Sequence, residues 1–95
     1  MKFYIDPEVI KKLKEQNVRI RKSFRKKLSI FVTNPYDPIL DNHKLHRDYA
    51  EYRSIDITDD DKFVAIYEEI QEKEEVAAYF FEIGFKKELY NKKIN

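Results

Sequence analysis

The chain has 95 residues, with 19 Lys and Arg, 18 Asp and Glu, two His and no Cys, for a formal net charge of +1. That length suits one domain, residues 1–95, and the lack of Cys excludes a disulfide framework, a thiolate nucleophile and a thiolate metal site. No apolar run reaches the ~20 residues of a membrane helix, and Asp6 interrupts the start before a signal-peptide core can form, so a cytoplasmic protein with no membrane contact is expected.

Residues 2–5, Lys-Phe-Tyr-Ile, are a short β-prone run expected at one sheet edge. Asp6-Pro7-Glu8 then reads as a helix start: Asp caps the backbone, Pro suits the first turn and Glu favours the positive helix end. Val9, Ile10 and Leu13 share one face of that helix, and Asn17 marks a break. In the second helix Val18, Ile20, Phe24, Leu28 and Phe31 recur every three to four residues, with Arg21, Lys22, Arg25 and Lys26 on the other side. Pro35 ends it. Residues 34–49 read as a long connection that holds both histidines and is tied to the core by Ile39, Leu40 and Leu45.

From Tyr52 the period changes to two, which puts Arg53, Ile55 and Ile57 on one face of a strand and Ser54, Asp56 and Thr58 on the other. Phe63–Ile70 and Val76–Ile83 are the next strands, joined through Glu72–Glu75, and Gly84 follows the last of them. Lys86–Tyr90 suits one helical turn. The expected fold is α+β: two N-terminal helices on a small antiparallel sheet, closed by a short C-terminal helical turn. Ile20, Phe24, Leu28, Ile55, Ile57, Ile66, Val76, Ala78 and Phe80 are the expected core.

The small net charge hides a segregation. Residues 1–30 carry ten Lys and Arg against three acids, while residues 31–75 carry five against thirteen. A basic N-terminal region can attract a polyanion, or can simply be a solvated helix face.

Chemistry is narrowed by what is missing. With a single Gly there is no Walker loop, dinucleotide fingerprint or nucleophile elbow. His43 and His46 have metal-ligand spacing only if helical and lack a second ligand cluster, so no metal or other cofactor is expected. RNA cleavage by the neighbouring 2′-hydroxyl needs neither metal nor thiol. It needs a base, cations for the phosphorane and an acid for the leaving oxygen. His43, Arg53, Lys86 and Tyr90 are of the right types, provided that the sheet brings them to one face.

The ordered set Asn34-Pro35-Tyr36-Asp37-Pro38, Asn42-His43-Lys44-Leu45, Tyr52-Arg53-Ser54-Ile55-Asp56-Ile57, Ile66-Tyr67, Ile83-Gly84 and Glu88-Leu89-Tyr90 resembles the RelE/YafQ superfamily of type II toxins. The resemblance spans essentially the whole chain and implies the RelE-like fold. It implies an mRNA interferase that works on the ribosome without a cofactor, neutralised by a cognate antitoxin in a hetero-oligomer. It also implies a catalytic set of His43, Arg53, Lys86 and Tyr90, and an RNA-binding set of Arg21, Lys22, Arg25, Lys26, Lys44 and Arg47.

There are departures. Asp56 and Lys86 stand where members of the YafQ type often have His. The usual Gly-Asp-x-Arg after Thr58 is not reproduced, with Val64 at the Arg position, and Arg47 and Glu51 stand where Gly is common. Two readings stay open at the level of sequence. One is an active, ribosome-dependent endoribonuclease. The other is a toxin-fold protein with weak or no cleavage that acts by binding antitoxin, ribosome or operator complex.

Overall fold

The computed structural model of the protein describes residues 1–46, 49–60 and 62–92, with residues 90–92 described as backbone only. Arg47 therefore lies outside the described residues, as does the side chain of Tyr90. Strand β1 (Phe3–Ile5) leads into helix α1 (Pro7–Lys14) and helix α2 (Val18–Thr33). A 3-10 turn (Pro38–Leu40) and a two-residue strand β2 (His43–Lys44) follow. Strands β3 (Tyr52–Asp56), β4 (Phe63–Glu72) and β5 (Glu75–Phe85) run into helix α3 (Lys86–Lys92).

Both N-terminal helices begin where side-chain oxygens can replace the missing backbone acceptors. The Asp6 carboxylate accepts from the Glu8 amide at 2.9 Å, and the Asn17 side chain from the Ile20 amide at 2.9 Å. Asp6 is doubly used, since the Tyr79 hydroxyl of β5 also donates to it. Those two donors hold its pKa below the ordinary carboxylate value, Tyr79 contributing most.

The five strands form one mixed sheet in the order β1-β5-β4-β3-β2. Only β1 is parallel to its neighbour, with Phe3 beside Ala78 and Ile5 beside Phe80. The rest is antiparallel, with a bulge in β5 opposite Ile66 and Tyr67. The expected α+β arrangement is therefore present, with the first strand at one edge as expected.

The α2 stripe of Ile20, Phe24, Leu28 and Phe31 packs with Ile55, Ile57, Ala65, Tyr67, Ala78 and Phe80 from one sheet face. Phe31 sits at the centre of the aromatic contacts, edge-on to Tyr67 at 5.2 Å and to Phe80 at 5.3 Å. The opposite face carries a smaller cluster of Leu45, Val64, Ile66 and Leu89, flanked by Tyr49, Tyr52 and Phe81.

Four details differ from the sequence expectation. The connection after α2 is not all loop but contains the short strand β2. Val76 is not core but 38% exposed, because it pairs with Gln71 beside the turn that closes the β4–β5 hairpin. Gly84 lies inside β5 rather than after it. A Cβ there would meet the Leu89 side chain at 3.0 Å, so the missing side chain lets α3 fold back against β5. Lys27, one of the basic run, is buried: its ammonium donates to the Ile57 carbonyl at 3.1 Å and lies 3.8 Å from Asp59, tying α2 to the end of β3.

Candidate active site

The segment before β2 is shaped by local side-chain bonds. Asn34 accepts from the Tyr36 amide and Asp37 from the Ile39 amide, each at 3.1 Å. Leu40 is fully buried and anchors the turn, and Asp41 adopts the left-handed conformation, φ 46°. This delivers His43 to the sheet edge, where it pairs with Ser54 in antiparallel register.

Directly opposed residues in an antiparallel pair share a face, and every second residue along a strand does too. His43, Ser54 and Asp56 therefore stand on one face, the one covered elsewhere by the smaller cluster. The His43 Nδ1 lies 2.7 Å from the Asp41 carbonyl oxygen. A carbonyl only accepts, so Nδ1 carries the proton and Nε2 is the ring nitrogen left to exchange one. Nε2 lies 3.5 Å from the Oγ of Ser54, a fully buried hydroxyl.

Asp56 is half-buried at the end of β3. Burial pushes its carboxyl above the ordinary value and Asp41 adds to this, while Lys62, Lys86 and His43 pull in the other direction. Lys86 opens α3, and its backbone amide donates to the Lys62 carbonyl at 2.8 Å. Thus β2, the β3–β4 turn and the start of α3 bring His43, Lys62 and Lys86 within electrostatic reach of Asp56 at the end of β3. Tyr90 follows Lys86 four residues later in α3, with its side chain outside the described residues.

Arg53 is not brought to this cluster. It pairs with Tyr67 and Lys44, which puts it on the helix-covered face with Ile55 and Ile57. There its Nε donates to Asn42 Oδ1 at 2.8 Å and its guanidinium lies over the Tyr36 ring at 5.2 Å. Asn42 in turn donates to the Pro35 carbonyl at 2.8 Å and to the Tyr67 hydroxyl at 2.9 Å. Arg53 is thus the brace of the connection that holds His43. His43 lies in a strand rather than a helix, so the i, i+3 spacing of His43 and His46 does not make a helical metal pair.

The basic residues of α2 also divide. Lys22, Arg25 and Lys26 are exposed, and they point away from the sheet because the opposite stripe packs on it. Arg21 instead donates to the Gln16 carbonyl at 2.7 Å and closes the α1–α2 junction. Lys44 is exposed on β2. Sequence reasoning did not include Asp56 or Ser54 among the site residues. Their alternation with Arg53 was readable, but the pairing of Ser54 with His43, which puts Asp56 on the same face, depends on a register that no local pattern gives.

No protein-family model and no curated protein matches the chain. Among solved structures its fold is similar to a YoeB/ParE toxin from Agrobacterium tumefaciens, with TM-score 0.68 and 16% identity over 90% of this chain and 98% of that one. It is likewise similar to YafQ from E. coli, with TM-score 0.69 and 16% identity over 94% and 97%. The E. coli DinJ-YafQ toxin-antitoxin complex also matches, with TM-score 0.59 and 17% identity over 94% and 96%. Helices, sheet and terminal helix are therefore those of the RelE/YafQ toxin fold, over nearly the whole length.

Proposed function

We propose that this chain, which carries the RelE/YafQ toxin fold, is the toxin of a type II toxin-antitoxin system and a ribosome-associated mRNA endoribonuclease. The observation that carries the reading is the register that puts His43, Ser54 and Asp56 on the sheet face away from α2, with Lys62 and Lys86 acting electrostatically on Asp56. The known toxins of this fold support it, and the antitoxin in the DinJ-YafQ complex supports a cognate antitoxin as partner.

In the proposed reaction His43 Nε2 takes the proton of the 2′-hydroxyl, with Ser54 and the Asp41 carbonyl fixing the ring. The 2′ oxygen attacks the adjacent phosphorus, the bond from phosphorus to the 5′ oxygen breaks, and the products are a 2′,3′-cyclic phosphate and a 5′-hydroxyl. Lys86 stabilises the charge that develops on the phosphorane. Tyr90 stacks on a base or orients the attacking hydroxyl. Lys22, Arg25 and Lys26 contact rRNA phosphates from the other side of the molecule, and Lys44 adds charge at the sheet edge. Arg53 acts through the Asn42 brace rather than at the phosphate.

The test is a cleavage assay with purified ribosomes programmed with mRNA. The wild-type chain should cut and leave a cyclic-phosphate end, and Lys86→Ala should cut ~10²–10³ more slowly, the usual effect of losing one transition-state contact. The engagement of Arg53 away from the cluster favours the second reading, a binding toxin. Ribosome occupancy by the wild-type chain with no cleavage would decide for it.

A further inference from the structure

The leaving 5′ oxygen needs a proton, and the reaction above assigns no donor for it. We propose that Asp56 is the general acid, carrying the proton that goes to the 5′ oxygen while His43 takes the one from the 2′-hydroxyl. This rests on the endoribonuclease reading and concerns the same site.

Three observations carry it. First, register puts Asp56 on the face of His43, one step along β3 from Ser54, which pairs with His43. Diagonal neighbours on one face of adjacent strands stand about 7–8 Å apart, a span that one phosphate can bridge. Second, Asp56 is half-buried, and four groups from separate segments act on it electrostatically: Asp41 before β2, His43 of β2, Lys62 of the β3–β4 turn and Lys86 of α3. Burial and the second carboxylate both disfavour its charged form. Third, the substrate is itself an anion. A phosphodiester seated beside Lys86 puts a negative charge next to Asp56 and favours the protonated carboxyl further. An ionised Asp56 would repel the scissile phosphate, whereas a protonated one hydrogen-bonds to it and holds the proton that the leaving oxygen needs.

The step is balanced. The hydroxyl proton moves to His43 Nε2, the Asp56 carboxyl proton moves to the 5′ oxygen as its bond to phosphorus breaks, and proton exchange with water resets both groups. Nothing is oxidised or reduced.

The experiment compares two mRNAs in programmed ribosomes, identical except that one carries sulfur in place of the scissile 5′ oxygen. A thiol has a pKa of about 8.5, so a thiolate leaves without a proton where an alkoxide cannot. Asp56→Asn keeps the shape and removes the transferable proton. It should cut the oxygen substrate ~10²–10⁴ more slowly than wild type and the sulfur substrate at nearly the wild-type rate. Asp56→His restores a proton donor and should recover at least tenfold over Asp56→Asn on the oxygen substrate. His43→Ala should be slow on both. Binding of an mRNA with a 2′-deoxy scissile nucleotide should be unchanged or tighter in Asp56→Asn.

Asp56→Asn within threefold of wild type on the oxygen substrate overturns the proposal. So does an equal loss on both substrates, or an Asp56→His variant as slow as Asp56→Asn. These outcomes leave the endoribonuclease reading standing. A wild-type chain that cuts neither mRNA overturns both.

Discussion

The two faces of the sheet are built on different rules. The face under α2 is closed by interlocking aromatics: Phe31, Tyr67 and Phe80 are fully buried and meet edge to face. Its polar groups are paired, with Arg53, Asn42 and the Tyr67 hydroxyl in one network. The other face has a smaller apolar cluster, and beside it stand His43, Asp56 and Lys86, whose charges oppose and attract one another across a half-exposed patch. One face is spent on stability. The other keeps a half-buried carboxyl whose charged form burial disfavours more than its neighbouring cations favour.

The largest break in that comparison is Phe31→Ala. Deleting a buried aromatic from the first face should destabilise by about 3–5 kcal/mol, through lost burial and the cavity left behind. For a chain of marginal stability that is most of the total. Urea unfolding should show a midpoint lowered steeply, or no folded baseline. A loss below ~1 kcal/mol would mean that the helix-covered face is not the main core.

Next is His43→Ala, on the second face. Cleavage on programmed ribosomes should fall by ~10²–10⁴, the range for losing a positioned base. Stability should stay within about 0.5 kcal/mol of wild type, since the ring is partly exposed, its short bond is to the nearby Asp41 carbonyl and its contact with Ser54 is long. A large stability loss would show that His43 is a brace and that the two faces do not divide their work.

The exposed side of α2 tests a third surface. Lys22→Glu with Arg25→Glu should weaken ribosome binding most at low salt. The slope of log affinity against log salt should flatten by about 1.4–1.8 for two phosphate contacts. The fold should survive, because these positions point away from the packed stripe. Affinity unchanged at every salt concentration would identify them as a solvated face.

Much of the first face was readable in the sequence. The stripe Ile20, Phe24, Leu28 and Phe31 has the helical period, and Asp6 marks the first helix start through its capping oxygen, while Asn17, readable as a break, also caps the second helix. Alternation around Ile55 and Ile57 identified the strand that the stripe covers. It also put Arg53 on the Ile55 side and Asp56 on the other, which foreshadowed their separation. What stayed hidden depended on distant pairing. The strand His43–Lys44 is too short for any period, yet its register with Ser54 decides which residues face His43. Burial of Lys27 was invisible inside a basic run, because the Ile57 carbonyl that receives it lies 30 positions away. Exposure of Val76 follows from its place near the hairpin end, a position that composition cannot distinguish from mid-strand.

The smallest expected effect is the most specific to the contrast between the faces. The folded-state pKa of Asp56 lies above its unfolded value. Between those two values the folded state binds more protons than the unfolded state, so stability falls as pH rises through that window. Below the unfolded value the group is protonated in both states and contributes no penalty; above the folded value the full penalty is present. Asp56→Asn removes the charge and so should be more stable than wild type at pH 7. The gain should shrink to nothing as pH is lowered through the carboxylate range. Solvent screening at a half-exposed position keeps this to a few tenths of a kcal/mol, or about 1–3 °C in melting temperature for a chain of this size. Thermal melts of both proteins from pH 7 down to pH 3 check it. Asp6 should behave in the opposite sense, since its folded pKa is lowered by Tyr79 and the Glu8 amide. Its contribution is present above its unfolded value and is lost as pH falls through its folded one. A variant gain that persists at pH 3 would mean that it does not come from the carboxyl charge, and a loss at pH 7 would mean that Asp56 is satisfied in the folded protein; either would show that the second face carries no stored charge penalty.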